Sequence, residues 1–181
     1  MTDKRPTQLL MYRPHLDNVP ATRPLPEGYE VRQFEAGDDI EALAETLTSA
    51  FAEEWSVERV KSSLTEASDV LAVYVVTWEG RPVATASSRL DPGPFAGSGY
   101  VHWVGAHADH AGRGLGTALM VRLFEDFRER GYPDAVLQTD DFRIPAIKSY
   151  LRCGFLPVYE VQGDDQRARW SAIFQQVLPS R

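Results

Sequence analysis

Cysteine is almost absent from this chain: Cys153 is the only one in 181 residues, so no intrachain disulfide can form and a cysteine-rich metal site is excluded. No stretch approaches the ~20 apolar residues of a membrane span, and the N-terminus lacks the apolar core of a signal peptide. We therefore expect a cytoplasmic protein with no membrane association and no metal. Positive charge is also short. The formal net charge of −7 argues against a nucleic-acid partner and favours cationic acceptors, over a short range only at physiological salt. There is no internal repeat and no low-complexity block, and 181 residues suit one domain with a sizeable core.

What is present is concentrated in Gly112-Arg113-Gly114-Leu115-Gly116-Thr117, three glycines directly ahead of an apolar pattern of helical period. Leu115, Leu119, Leu123 and Phe127 recur every four residues, with Met120 and Phe124 beside them, and predict an amphipathic helix to about Arg130. Glycines permit positive φ and close approach of a ligand to the main chain. The free N–H groups of a first helical turn, with the helix dipole behind them, then face an anion such as phosphate. A plain glycine turn before a helix is the alternative. A P-loop is excluded because Leu115 and Thr117, not lysine, follow the later glycines. A dinucleotide fingerprint is weak, since Leu119 or Thr117 stands where its third glycine belongs.

The flanking chain gives the loop a context. Tyr100–Ala106 reads as a strand ahead of the loop. After the helix come a strand at Ala135–Thr139, a second helix through Pro145-Ala-Ile-Lys-Ser-Tyr150, and Gly154-Phe155 opening another strand. In this arrangement the sequence resembles the GNAT superfamily of acyl-CoA-dependent N-acyltransferases, whose loop runs R/Q-x-x-G-x-G/A and whose later motif runs N-x-x-A-I-x-x-Y-x-x-x-G-F. Ala146-Ile147, Tyr150 and Gly154-Phe155 keep the second spacing. Two positions depart: Ala111 replaces the Arg or Gln of the loop, and Arg143 replaces the Asn. The resemblance covers about Glu27 to the C-terminus and is most specific over residues 100–158.

That resemblance implies an α/β fold with a GNAT-like mixed, splayed central sheet and helices on both faces. It implies acetyl-CoA as cosubstrate and direct transfer of an acetyl group to a primary amine. Position by position, Val104, Gly105 and Ala106 become main-chain contacts for pantetheine. Gly112, Arg113, Gly114, Leu115, Gly116 and Thr117 become the pyrophosphate cradle, with Arg113 supplying charge missing at Ala111. Tyr150 becomes the general acid; its phenol, with an ordinary pKa of ~10, is protonated at neutral pH. His102 becomes a candidate base, since imidazole titrates near ~6.5. A packed strand histidine and a core-lining tyrosine are the alternatives. A non-catalytic acyl-CoA-binding or sensory module is the alternative for the whole chain, kept open by Ala111.

Outside the motifs, residues 1–26 carry five of the twelve prolines and read as an extended arm preceding a single domain over residues 27–181. Leu9, Leu10, Met11 and Tyr12 offer that arm a docking surface on the domain or on a second subunit of a homodimer, with a loosely packed terminus as the alternative. A strand at Tyr29–Phe34, helices capped by Asp38 or Asp39 and by Ser56, and a hairpin turning at Glu79-Gly80 follow. The order is β-α-α-β-β-β-α-β-α-β-β, ending in a strand at about Trp170–Val177. Alternation sets Tyr100, His102 and Val104 on one face of their strand and Val101 and Trp103 on the other. For the acceptor, a small-molecule or peptide amine, Asp140, Asp141 and Arg143 follow a strand end, where the GNAT resemblance implies an acceptor cleft, and Phe51, Glu53, Glu54 and Trp55 lie in the helical connection; the paired carboxylates suit an ammonium group, with a solvated loop or a cap for the helix at Ile144 as the alternative. Cys153, in a turn after a helix with no histidine near it in sequence, reads as a packing residue.

Overall fold

The long apolar runs Val70–Trp78 and Arg81–Arg89 become strands β3 and β4, where Glu79 and Gly80 both take positive φ, 50° and 85°, and close a two-residue hairpin. The computed structural model describes residues 7–21, 23–90, 95–161 and 163–177. Ahead of the hairpin lie β1 (Leu9–Arg13), β2 (Tyr29–Gln33), α1 (Ile40–Phe51) and the short α2 (Val57–Val60). Asp39 caps α1 by accepting from the Ala42 N–H at 2.8 Å, and Ser56 caps α2 through Arg59 N–H at 3.2 Å. After the hairpin come β5 (Gly99–Ala106), α3 (Leu115–Glu129), β6 (Ala135–Thr139), α4 (Ile144–Arg152), β7 (Leu156–Pro157), β8 (Glu160–Val161), β9 (Asp164–Asp165) and α5 (Arg167–Val177).

Seven strands form one mixed sheet in the order β2-β3-β4-β5-β6-β1-β7, and only the β5–β6 pair is parallel. The expected fold class holds. On one face, Leu119, Leu123, Phe124 and Phe127 of α3, Ile147 and Tyr150 of α4, and Trp170 of α5 close over Tyr74, Ala86, Val101 and Leu137. On the other, Leu43 and Leu47 of α1 with Trp55, Val60 and Leu64 cover Val73 and Val75. Among the described residues, no helix is long and apolar enough to cross a membrane.

Two segments differ from their sequence reading. Leu9–Arg13 is a strand inside the sheet, paired with β6 from Leu9↔Thr139 to Arg13↔Ala135 and with β7 on its other edge. Its apolar residues reach both faces: Leu9 and Met11 pack toward α3, Leu10 toward Val136 and Val161. The boundary drawn at 26/27 therefore falls within the packed fold. The proline-rich composition pointed to an arm because the strand itself is only five residues long.

The second difference is the C-terminus, where the strand expected at Trp170–Val177 is the helix α5. Trp170, Ile173, Phe174 and Val177, all packed on the core, recur at i, i+3, i+4 and i+7, which is the helical period. The place beside β6 that a last strand would take is already filled by β1.

Candidate active site

β5 and β6 pair only at Gly99↔Ala135, Tyr100↔Val136 and Val101↔Leu137. Beyond that point each strand keeps its outer partner, β5 with β4 as far as Ala106 and β6 with β1 as far as Thr139, but the two no longer pair with each other. The sheet splits between them, and the inner edge of residues 102–106 is left off the ladder.

A bulge marks the start of the split. Ser87 pairs with His102 and Thr85 with Gly105, so Trp103 and Val104 together face the single residue Ala86. Trp103 takes φ +46°, a conformation a bulky side chain rarely adopts and one that costs roughly 1–3 kcal/mol. The extra residue resets the alternation. Val104 and Ala106 join Val101 on the α3 side, while Trp103 packs with Phe51 and Trp55 on the α1 side. The expected grouping of Tyr100, His102 and Val104 is thus corrected. At Gly105 a Cβ would lie 2.6 Å from the Cβ of Ala50, so this glycine admits α1 against the strand.

The glycine loop lies between β5 and α3. Gly112 and Gly114 take φ +77° and +79°, and Gly114 caps α3 with no side chain bonded to the first turn. A Cβ on Gly112, Gly114 or Gly116 would meet nothing within 4 Å. This is an open, uncapped N-terminus of a 15-residue helix, the arrangement that receives an anion. Arg113 does not extend over it: its guanidinium turns back to the carbonyls of Asp109 (2.7 Å) and Ala111 (3.4 Å). His110 just ahead of the loop is half-buried, bonded to the Tyr29 hydroxyl at 2.7 Å and packed against Trp78.

Tyr150 sits on α4, 6% exposed, between Ile147 and Phe155. Burial pushes its phenol up to about 12, against a smaller opposing pull from the positive charge of Arg143. It is therefore a protonated hydroxyl at any physiological pH. Cys153 is buried, its thiol pushed up to about 11 by the same cause, which fits a packing residue rather than a nucleophile. Its carbonyl accepts from Arg13, and Arg13 also accounts for the glycine of the motif, since its guanidinium fills the space a Cβ on Gly154 would take.

His102 differs most from its expected role. Arg89, itself paired with Asp69 at 2.5 Å, donates to His102 Nε2 at 3.3 Å. Because arginine cannot accept, the ring proton belongs on Nδ1. Burial, with Arg89 adding to it, pulls the imidazole down to about 3. As held here the ring is neutral and its lone pair is occupied, so it is a poor base at neutral pH. Nothing in the sequence pointed to Arg89 or Asp69, which approach His102 from β4 and the start of β3.

The residues expected to border an acceptor cleft separate into paired and free groups. Asp141 forms an ion pair with Arg169, and Asp140 accepts from Gln8 at 3.3 Å. Glu53 pairs with Arg59 at 2.8 Å. Arg143 stacks its guanidinium 4.3 Å from the centre of the Phe51 ring and so bridges the loop after β6 to the end of α1. Phe51, Trp55 and His102 in turn surround Trp103, at ring separations of 4.9, 4.6 and 5.0 Å.

Comparison with known proteins supplies the context for this geometry. The profile of the acetyltransferase (GNAT) family matches residues 40–155. A mycothiol acetyltransferase of Thermomonospora curvata is 29% identical over 81% of this chain and 50% of its own length. One from Geodermatophilus obscurus is 31% identical over 77% of this chain and 48% of its own. The chain spans about half the length of these curated relatives. A GCN5-related N-acetyltransferase from Sphaerobacter thermophilus superposes with a TM-score of 0.64 at 25% identity, over 85% of this chain and 50% of that one. The ribosomal-protein-S18-alanine N-acetyltransferase from Escherichia coli shares the fold at a TM-score of 0.60 and 20% identity, over 76% of this chain and 87% of its own.

Proposed function

This chain belongs to the acetyltransferase (GNAT) family, and we propose that it transfers an acetyl group from acetyl-CoA directly to a primary amine. The observation that carries the reading is the split between β5 and β6, whose free edge leads to the uncapped glycine start of α3. In this reading the main chain of Val104, Gly105 and Ala106 holds the pantetheine amides. The first-turn N–H groups over Gly112–Thr117 hold the pyrophosphate, with Arg113 bracing the turn and adding positive charge at its edge.

Acetyl-CoA supplies the activated acetyl thioester. The chain's own part is to hold and to give a proton. Tyr150, protonated and withdrawn from water, gives a hydrogen bond or proton to the sulfur as the C–S bond breaks and the C–N bond forms. Strand N–H groups at the bulge polarise the carbonyl. His102 is assigned a positioning role, its ring neutral against Trp103, and the ammonium proton leaves to water. We place the protein in the cytoplasm. Incubation with acetyl-CoA and a panel of amines, with mass detection of product, tests the proposal. Acetylated amine and an equal amount of free coenzyme A support it, whereas tight coenzyme A binding with no product across the panel favours a sensory module.

A further inference from the structure

By sequence, the carboxylates at the end of α1 and in the loop after β6 suit either an ammonium group or an ordinary solvated loop. The charges are arranged the other way. Asp141 is neutralised by Arg169, Glu53 by Arg59, and Asp140 is engaged by Gln8, while Glu54 is exposed and screened by solvent. Arg143 is half-buried, stacked on Phe51, and has no carboxylate partner among the described residues. A half-buried cation loses much of its hydration, and an arginine with no ion pair among the described residues is poised for an anion from outside.

A second observation points the same way. The ring cluster that carries Arg143 through Phe51 contains two side-chain nitrogens with no hydrogen-bond partner, Trp55 Nε1 and His102 Nδ1. Trp55 is 4% exposed, so its N–H is a buried, unpartnered group. With Arg89 donating to His102 Nε2, the Nδ1 position also carries hydrogen. The unspent capacity around Trp103 consists of donors. Buried donors without partners favour a ligand that brings oxygen acceptors and disfavour one that brings further cations.

We propose that the acceptor amine is carried on a molecule with a carboxylate, of the amino-acid or peptide C-terminus class, and that Arg143 receives that carboxylate at the mouth of the cleft. The inference rests on the acetyl-transfer reading and names its substrate class. The planar guanidinium offers two parallel N–H groups to the two carboxylate oxygens while its face stays on Phe51. The amine is thereby presented toward the bulge at Trp103 with its anionic end held at the rim.

The test compares L-phenylalanine with L-phenylalaninamide, and L-leucine with L-leucinamide, as acceptors for the wild type, Arg143→Gln and Arg143→Lys. Within each pair, the change in the acid-to-amide ratio of kcat/KM between proteins cancels the different basicity of the two amines. We expect Arg143→Gln to lower that ratio by about ten- to a hundredfold and Arg143→Lys to lower it less. A ratio unchanged in Arg143→Gln overturns the proposal. A second arm needs no turnover: calorimetry of N-acetyl-L-phenylalanine and its amide binding to the protein with coenzyme A present. Tighter binding of the acid, lost in Arg143→Gln, supports the carboxylate site, and no difference between acid and amide in the wild type overturns it. Absence of acetylation on any amine, together with acid-selective binding, removes the transferase reading while leaving the anion site standing.

Discussion

At the scale of single residues, Tyr150 and His102 illustrate how burial assigns opposite roles to two groups that titrate in solution. For Tyr150 burial disfavours the phenolate and secures a proton donor. Tyr150→Phe should leave acetyl-CoA affinity nearly unchanged in calorimetry while lowering turnover by about 10²–10⁴-fold, the range of a general acid. Full turnover in a chemistry-limited assay would remove the role. For His102 burial disfavours the imidazolium, from the ordinary value of ~6.5 down to about 3. Between those two values the unfolded chain binds more protons here than the native one, so this group makes stability rise with pH from about 3 to about 6.5 and leaves it flat above. Urea midpoints of the wild type and His102→Asn across pH 5 to 7 check the sign. The wild type should lose more stability on acidification, and equal losses would contradict the buried neutral ring.

The elements show which parts of the site could be read in the sequence. The glycine loop, α3 and the Ala146–Phe155 motif were legible because each rests on a local requirement: positive φ, helical period, or fixed spacing. The bulge at Trp103 was not, since it depends on one extra residue of β5 facing Ala86, which lies 17 residues earlier on the neighbouring strand. Nor could Gly105 be assigned to close packing with Ala50 before α1 was in place. The glycines of the loop can now be told apart. Gly114 takes φ +79°, whereas Gly116 lies inside α3 with open space around it. A large side chain at Gly116 should weaken coenzyme A binding at least tenfold with little change in Tm, while the same change at Gly114 should lower both. Unaltered affinity in Gly116→Leu would displace the phosphates from this loop. Gly105→Val should instead cost about 1–3 kcal/mol of stability, the usual range for overpacking, read as a shifted urea midpoint.

At the scale of the whole molecule, the sheet is closed by the first described strand rather than the last. β1 lies between β6 and β7, Arg13 reaches from its end to the carbonyl of Cys153, and Arg169 of α5 ties back to Thr7 at 2.7 Å. Composition hid this, because prolines on both sides of Leu9–Arg13 suggested an arm, and only the pairing with Ala135–Thr139 reveals a central strand. A chain beginning at residue 27 should therefore lose cooperative thermal unfolding by circular dichroism, since the edges of β6 and β7 would be exposed. Retention of the wild-type transition would show that β1 is dispensable. With β1 seated, β6 stays on one side of the split as β5 stays on the other, and the free edge between them is the basis of the proposed activity. The most direct measurement of that claim is mass-detected acetyl transfer from acetyl-CoA across an amine panel, run side by side for the wild type and Tyr150→Phe. Acetylated product matched by free coenzyme A, and sharply reduced in Tyr150→Phe, is the predicted result. Coenzyme A binding without product from any amine would contradict it.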